Sequence, residues 1–153
     1  VTLDDFLTDE ECDTLIELGG ERGYERSMDL GEMNFDGTYG SIQSERRTSS
    51  NTWCVEDCWE HQITKRIHDK LELLTGVERD KYEFLQLLRY GVGQQYHEHH
   101  DFIDHQVDRF EGPRVRTSFS CCLQYESFKI LTLPCFMIAR PTSIIRTFAD
   151  IGK

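Results

Sequence analysis

The stretch from Tyr82 to Asp101 limits the possible folds more than any other part of this chain. Tyr82 to Tyr90 alternates: Tyr82, Phe84, Gln86, Leu88 and Tyr90 share one face, and Leu85, Leu87 and Arg89 share the other. Side chains two apart on a strand point the same way, so the pattern predicts a strand with one apolar face and one mixed face. Gly91-Val92-Gly93 predicts a turn, Gln94 to His99 a second strand, and Arg114 to Leu123 a third. Helices precede these strands. Thr8-Asp9-Glu10-Glu11 is a capping box, followed by an apolar face of Cys12, Leu15 and Ile16 and a stop at Gly19-Gly20. Asp57 to Leu74 is the longest predicted helix: Trp59, Ile63, Ile67 and Leu71 recur at four-residue spacing, and Thr75-Gly76 ends it. Val1 to Leu3 is expected as an edge strand, Arg46 to Trp53 as a strand, residues 21–45 as a long mobile loop, and Asp101 to Gly112 as an acidic loop. Helices first and strands after predict an α+β fold with a sheet or β-sandwich core. At 153 residues this is one domain or part of one.

The formal net charge of −11 argues against a nucleic-acid partner, because a phosphate backbone attracts a basic face. The charge is unevenly spread. Residues 113–153 hold six Lys/Arg and two acids, a net of +4, which leaves −15 on residues 1–112. The longest apolar run, Ile130 to Ala139, is broken by Pro134 and is far shorter than the roughly 20 residues a membrane span needs, so no span is expected within these residues. Six cysteines show no CxxC pair and no zinc-ribbon spacing. Cys54 and Cys58 lie four apart at the mouth of a predicted helix, where either a local disulfide or two free thiols fit.

Chemistry concentrates at His99-His100-Asp101. On one side of an extended chain, the His99 imidazole and the Asp101 carboxylate can converge on one ion. They are two of the three protein ligands of a mononuclear non-haem iron(II) oxygenase; the third would be a distal His, and no His follows His105. A compact zinc-like site drawn from His97, His99 and Asp101 or His105 is the competing metal reading. A solvated, His-rich acidic turn is the ordinary alternative to both.

The run Leu85-Gln-Leu-Leu-Arg-Tyr90-x-x-Gly93-Gln94-x-Tyr96-x-x-His99-x-Asp101 resembles prolyl 4-hydroxylases, members of the iron(II)- and 2-oxoglutarate-dependent dioxygenases. Three further motifs are similar to that family: the opening Leu3 to Cys12, Arg47-Thr-Ser-Ser50, and Gly112-Pro-Arg114-Val-x-Thr117. The four stand in order over residues 1–119. The resemblance implies a double-stranded β-helix (jelly-roll) with N-terminal helices packed on the sheet, incomplete at its C-terminus. It implies His99 and Asp101 as ligands of Fe(II), Tyr90 as a contact to 2-oxoglutarate, and Tyr96 and Arg114 as contacts to peptide substrate. Plain strand packing for Tyr90 and a surface position for Arg114 are the structural alternatives. Arg47 to Ser50 would shape the groove floor, and the segment 21–45 would be a substrate lid. L-ascorbate is the implied reductant, and a proline-rich or collagen-like polypeptide the implied partner. The endoplasmic reticulum lumen or secretory pathway is the implied location, with an N-terminal anchor outside these residues.

After Phe119 the likeness stops. Residues 113–151 contain no Gly, which is unusual for a β-rich segment, and the charge balance reverses at the same place. Residues 120–153 are therefore read as a divergent tail lacking the distal metal His, foreign to the pattern in the way a retained intron or frameshift would be. Three functions follow: peptidyl-proline hydroxylation, inactive in this chain as written; a non-catalytic remnant that binds proline-rich peptide; or a small zinc-binding module.

Overall fold

A computed structural model describes residues 3–103, 114, 116–120, 122–124 and 130–138. Helix α1 spans Asp9–Arg22. The capping box is present: Glu11 N–H donates to Thr8 Oγ1 at 3.2 Å, and Thr8 N–H donates to Glu11 Oε2 at 2.9 Å. The helix runs past the expected Gly19-Gly20 stop and is capped at Gly23 instead. Gly19 is buried there, and a Cβ on it would collide with the Tyr24 hydroxyl, so this glycine serves close packing rather than termination. The second predicted helix is divided into α2, Asp57–Glu60, and α3, Gln62–Thr75. Between them His61 is extended, and its Nδ1 accepts from Ile63 N–H at 3.2 Å, so it caps α3 and ends α2. Ile63, Ile67 and Leu71 bury the predicted face, and Gly76 closes α3 in the left-handed conformation at φ 67°.

The described residues form eight strands: β1 Glu25–Arg26, β2 Asp29–Met33, β3 Tyr39–Ile42, β4 Ser50–Cys54, β5 Leu85–Tyr90, β6 Arg116–Phe119, β7 Cys122–Gln124 and β8 Ile130–Ile138. The main sheet is antiparallel, in the order β1-β4-β5-β8-β6, with β7 also paired to β8. β2 and β3 form a separate hairpin. The mixed α+β class is as expected. The segment 21–45 is not the irregular loop its composition predicts, because it supplies β1 and this hairpin. Asn34, Asp36, Gly37 and Thr38 build the hairpin turn, with Thr38 N–H donating to Asp36 Oδ1 at 3.0 Å. The predicted Gln94–His99 strand is reduced to one bridge, Arg47 to Tyr96, so the Arg46–Trp53 strand begins its regular pairing only at Ser50. The third predicted strand is broken into β6 and β7. Residues 1–2 of the expected edge strand and most of the acidic loop lie outside the described residues.

The core lies between α1, α3 and one face of β5. Leu15, Ile67, Leu71, Leu85 and Leu87 are essentially inaccessible to solvent. Burial of such aliphatic side chains contributes roughly 1.5–3 kcal/mol each. Glu11 is buried with them, and Lys70 Nζ lies 2.6 Å from its Oε2. Cys54 is bridged to Cys58, and Cys12 on α1 to Cys122 on β7, a separation of 110 residues. β8 runs beside β5 from Gln86–Cys135 to Tyr90–Leu131, with Pro134 opposite Leu87. A proline has no N–H for a ladder and is rare inside a sheet, which is why the sequence here does not read as a central strand. Among the described residues, no helix is long and apolar enough to cross a membrane.

Candidate metal-binding cleft

The face of β5 opposite the core carries Gln86 and Leu88 into a cleft of about 580 Å³. The segment 95–101 lines it through Tyr96, His99 and Asp101, and is held by the chain just before β4. Thr48 N–H donates to Gln95 O at 2.8 Å, Gln95 N–H to Thr48 Oγ1 at 2.6 Å, and His97 N–H to Arg46 O at 2.8 Å. Arg46 Nη2 also reaches Glu98 O at 3.0 Å. The Arg47-Thr-Ser-Ser50 segment therefore acts as a backbone template for the histidine-rich segment. The Gly91-Val92-Gly93 turn delivers that segment from β5, with Gly93 at φ 80° and Gln94 Oε1 accepting from Gly91 N–H at 2.7 Å.

His99 and Asp101 converge although neither lies in a regular strand. His99 Nε2 is 3.1 Å from Asp101 Oδ1. His99 Nδ1 lies 2.8 Å from the carbonyl of His97, so each ring nitrogen faces an oxygen acceptor and the protonated ring can donate from both. The other Asp101 oxygen, Oδ2, accepts from the Thr117 hydroxyl at 2.6 Å. Burial of the His99 ring disfavours its charge, but the bonds to Asp101 and the His97 carbonyl outweigh this and raise its pKa. Burial likewise opposes the Asp101 charge, and the bonds from His99 and Thr117 hold its pKa below the ordinary value.

The donor set suits one edge of an iron(II) site. Two donors each about 2.1 Å from one octahedral ion stand about 3 Å apart, close to the separation here. Among the described residues no group of three or more His, Cys, Asp or Glu side chains forms a complete metal cage, and His105 lies outside them.

Tyr96 and Arg114 also line the cleft. The Tyr96 ring stacks on His99 with centroids 3.7 Å apart, and the Arg47 guanidinium covers that ring at 4.6 Å. Arg47 Nη1 further donates to Met28 O at 2.9 Å, which ties the stack to the base of the β2–β3 hairpin. Burial raises the Tyr96 phenol pKa, against the opposing charge of Arg47. Arg114 makes a forked pair with Glu83, 2.7 Å from Nε to Oε1 and 2.9 Å from Nη2 to Oε2. Its guanidinium is thus held at the cleft wall by a carboxylate that the sequence motif does not include. Tyr90 sits half-buried at the end of β5, on the cleft face beyond Leu88 and near enough to Tyr96 to affect its phenol. It is not among the described cleft-lining residues.

The predicted site residues therefore gather around one cleft, with Tyr90 at its margin. Sequence reasoning did not anticipate the Glu83 brace or the Thr117 bond. The Gly112-Pro-Arg114-Val-x-Thr117 motif was a signal for the second.

The chain is thus a mixed helix and sheet fold that sets an imidazole and a carboxylate side by side in an open cleft. No family model matches the chain. Individual proteins do. Probable prolyl 4-hydroxylase 8 of Arabidopsis thaliana is 36% identical over 113 residues, 73% of this chain and 37% of the relative. Prolyl 4-hydroxylase 2 of the same organism is 37% identical over 107 residues, 70% of this chain and 33% of the relative. Prolyl 4-hydroxylase subunit alpha-1 of Gallus gallus is 31% identical over 98 residues, 64% of this chain and 18% of the relative. The chain is thus related to the prolyl 4-hydroxylases, and it spans about a third of the length of the Arabidopsis relatives it matches.

Proposed function

We propose that this chain carries part of an Fe(II)- and 2-oxoglutarate-dependent dioxygenase domain of the peptidyl-proline 4-hydroxylase type. Residues 1–119 are its family portion and residues 120–153 a divergent tail. The fold of the complete domain would be the double-stranded β-helix. The observation that carries this reading is the 3.1 Å approach of His99 Nε2 to Asp101 Oδ1, in a cleft that also holds Tyr96 and Arg114. His99 and Asp101 would hold the ferrous ion, which supplies an oxidising chemistry that side chains lack. Tyr90 would contact the 2-oxo acid from the end of β5. Tyr96, its ring held between His99 and Arg47, would offer its ring edge and hydroxyl to a proline-rich or collagen-like chain. Arg114, braced by Glu83, would fix the polypeptide backbone through donors already oriented. The Arg47–Tyr96 stack would keep water off one side of the His99 ring. Ascorbate is the expected reductant, and the two disulfides fit the oxidising lumen of the secretory pathway.

This chain by itself is expected not to turn over, because no His follows His105 to complete the ligand set. Incubation with Fe(II), 2-oxoglutarate, ascorbate and a proline-rich peptide should yield no hydroxyproline, while the peptide still binds. Measurable hydroxyproline would refute the inactive reading. Absence of peptide binding would remove the reason to place substrate in this cleft.

A further inference from the structure

The bond from Thr117 to Asp101 joins two segments 16 residues apart in sequence and has no part in the ligand set above. The torsion that orients a carboxylate about its own axis is soft and roughly two-fold, so an aspartate does not by itself choose which oxygen it presents. Here the choice is made. Oδ1 faces His99, and Oδ2 is engaged by a hydroxyl at 2.6 Å, the length of a strong charge-assisted bond. The Asp101 side chain is only 12% exposed, so solvent is poorly placed to take over that bond.

Thr117 is well suited to this task. It is β-branched and stands on a strand, where its first side-chain torsion is restricted, so the backbone sets the position of the hydroxyl. That backbone is positioned in turn by β8, through the pairing of Thr117 with Met137. The strand that reads as foreign in sequence thereby backs the residue that orients Asp101.

We infer that Thr117 is a positioning residue for the metal site: its hydroxyl fixes the Asp101 carboxylate so that Oδ1 alone is presented beside His99 Nε2. The inference rests on the reading of His99 and Asp101 as metal ligands. Partners of this kind around a metal ligand typically change affinity by roughly 10- to 100-fold when removed.

The test uses Mn(II) as the probe, with bound and free ion separated by electron paramagnetic resonance on the full chain. Thr117→Val keeps the shape and the β-branch but deletes the donor. It should weaken Mn(II) binding by roughly 10- to 100-fold. Thr117→Ser keeps the donor and should recover most of the affinity. The metal-free melting temperatures of the parent and the serine variant should agree closely. Thr117→Ala deletes the same donor and gives the same comparison if valine disturbs the strand. Unchanged Mn(II) affinity in a folded Val or Ala variant, with binding abolished by Asp101→Ala, overturns the positioning role and leaves the metal pair standing. Serine binding as weakly as valine also overturns it, since packing rather than the hydroxyl would then be at work. A parent chain that binds Mn(II) no better than Asp101→Ala overturns both readings.

Discussion

The two faces of β5 are built by different means. On one, Leu85 and Leu87 meet Leu15, Ile67 and Leu71 in a closed apolar layer. On the other, Gln86 and Leu88 look into a cleft whose walls are held by backbone hydrogen bonds, one guanidinium stack and one forked ion pair. The first face gains its stability from area removed from water, a force with no direction. The second holds its side chains by directional bonds that are individually worth about 1 kcal/mol. Stability therefore resides on the helix side and geometry on the cleft side, so substitutions on the two sides should have separable effects.

Ile67→Ala puts the largest strain on that division. Ile67 is fully buried, and its truncation should cost about 4 kcal/mol in denaturant unfolding, through lost transfer energy and the cavity left behind. A loss under about 1 kcal/mol would mean that the helix layer is not the stabilising one.

His68 tests the same layer by pH. It is fully buried against Trp59 and Tyr82, and neither ring nitrogen has a hydrogen-bond partner among the described residues. Burial, aided by the charge of Arg79, lowers its pKa to about 4. The unfolded chain binds this proton more readily than the folded one, so the neutral ring's contribution is fully present above pH 6.5 or so. It is lost as pH falls toward about 4, an effect of about 3 kcal/mol. Unfolding measured across that range should show the decline in the parent and a flatter profile in His68→Leu. Identical profiles would remove His68 as its source.

Arg47→Ala should have the smallest effect on stability, about 0.5 kcal/mol, because Arg47 holds one carbonyl and one ring at a partly exposed position. Binding of a proline-rich peptide should nonetheless weaken, since Tyr96 loses the contact that fixes its ring. A melting shift as large as that of Ile67→Ala would erase the distinction between the two faces.

What could be read from sequence follows the same division. Four-residue apolar spacing found α3 and the capping box found α1, because local periodicity and local hydrogen bonds decide both. The break at His61 was hidden, since a histidine seldom announces itself as a cap. The hairpin within residues 21–45 reads as loop because its strands are polar and glycine-bearing. In the cleft, the spacing of His99 and Asp101 was legible as a motif. Their convergence depends on pairing with Arg46 to Thr48, some 50 residues away, which no local pattern reveals. β8 was obscured by Pro134, and Thr117 and Glu83 by the distance to their partners.

The Cys12–Cys122 bridge turns most of this chain into a covalent ring. Both faces of β5, the hairpin and the whole His99–Asp101 segment lie within its circumference. A single cut in the backbone anywhere between the two cysteines opens the circle without releasing either piece. Tying off a loop of roughly 100 residues takes several kcal/mol of disorder from the unfolded chain. Under reducing conditions the same protein would become an ordinary linear thread, and β7 would be left attached to α1 by packing alone.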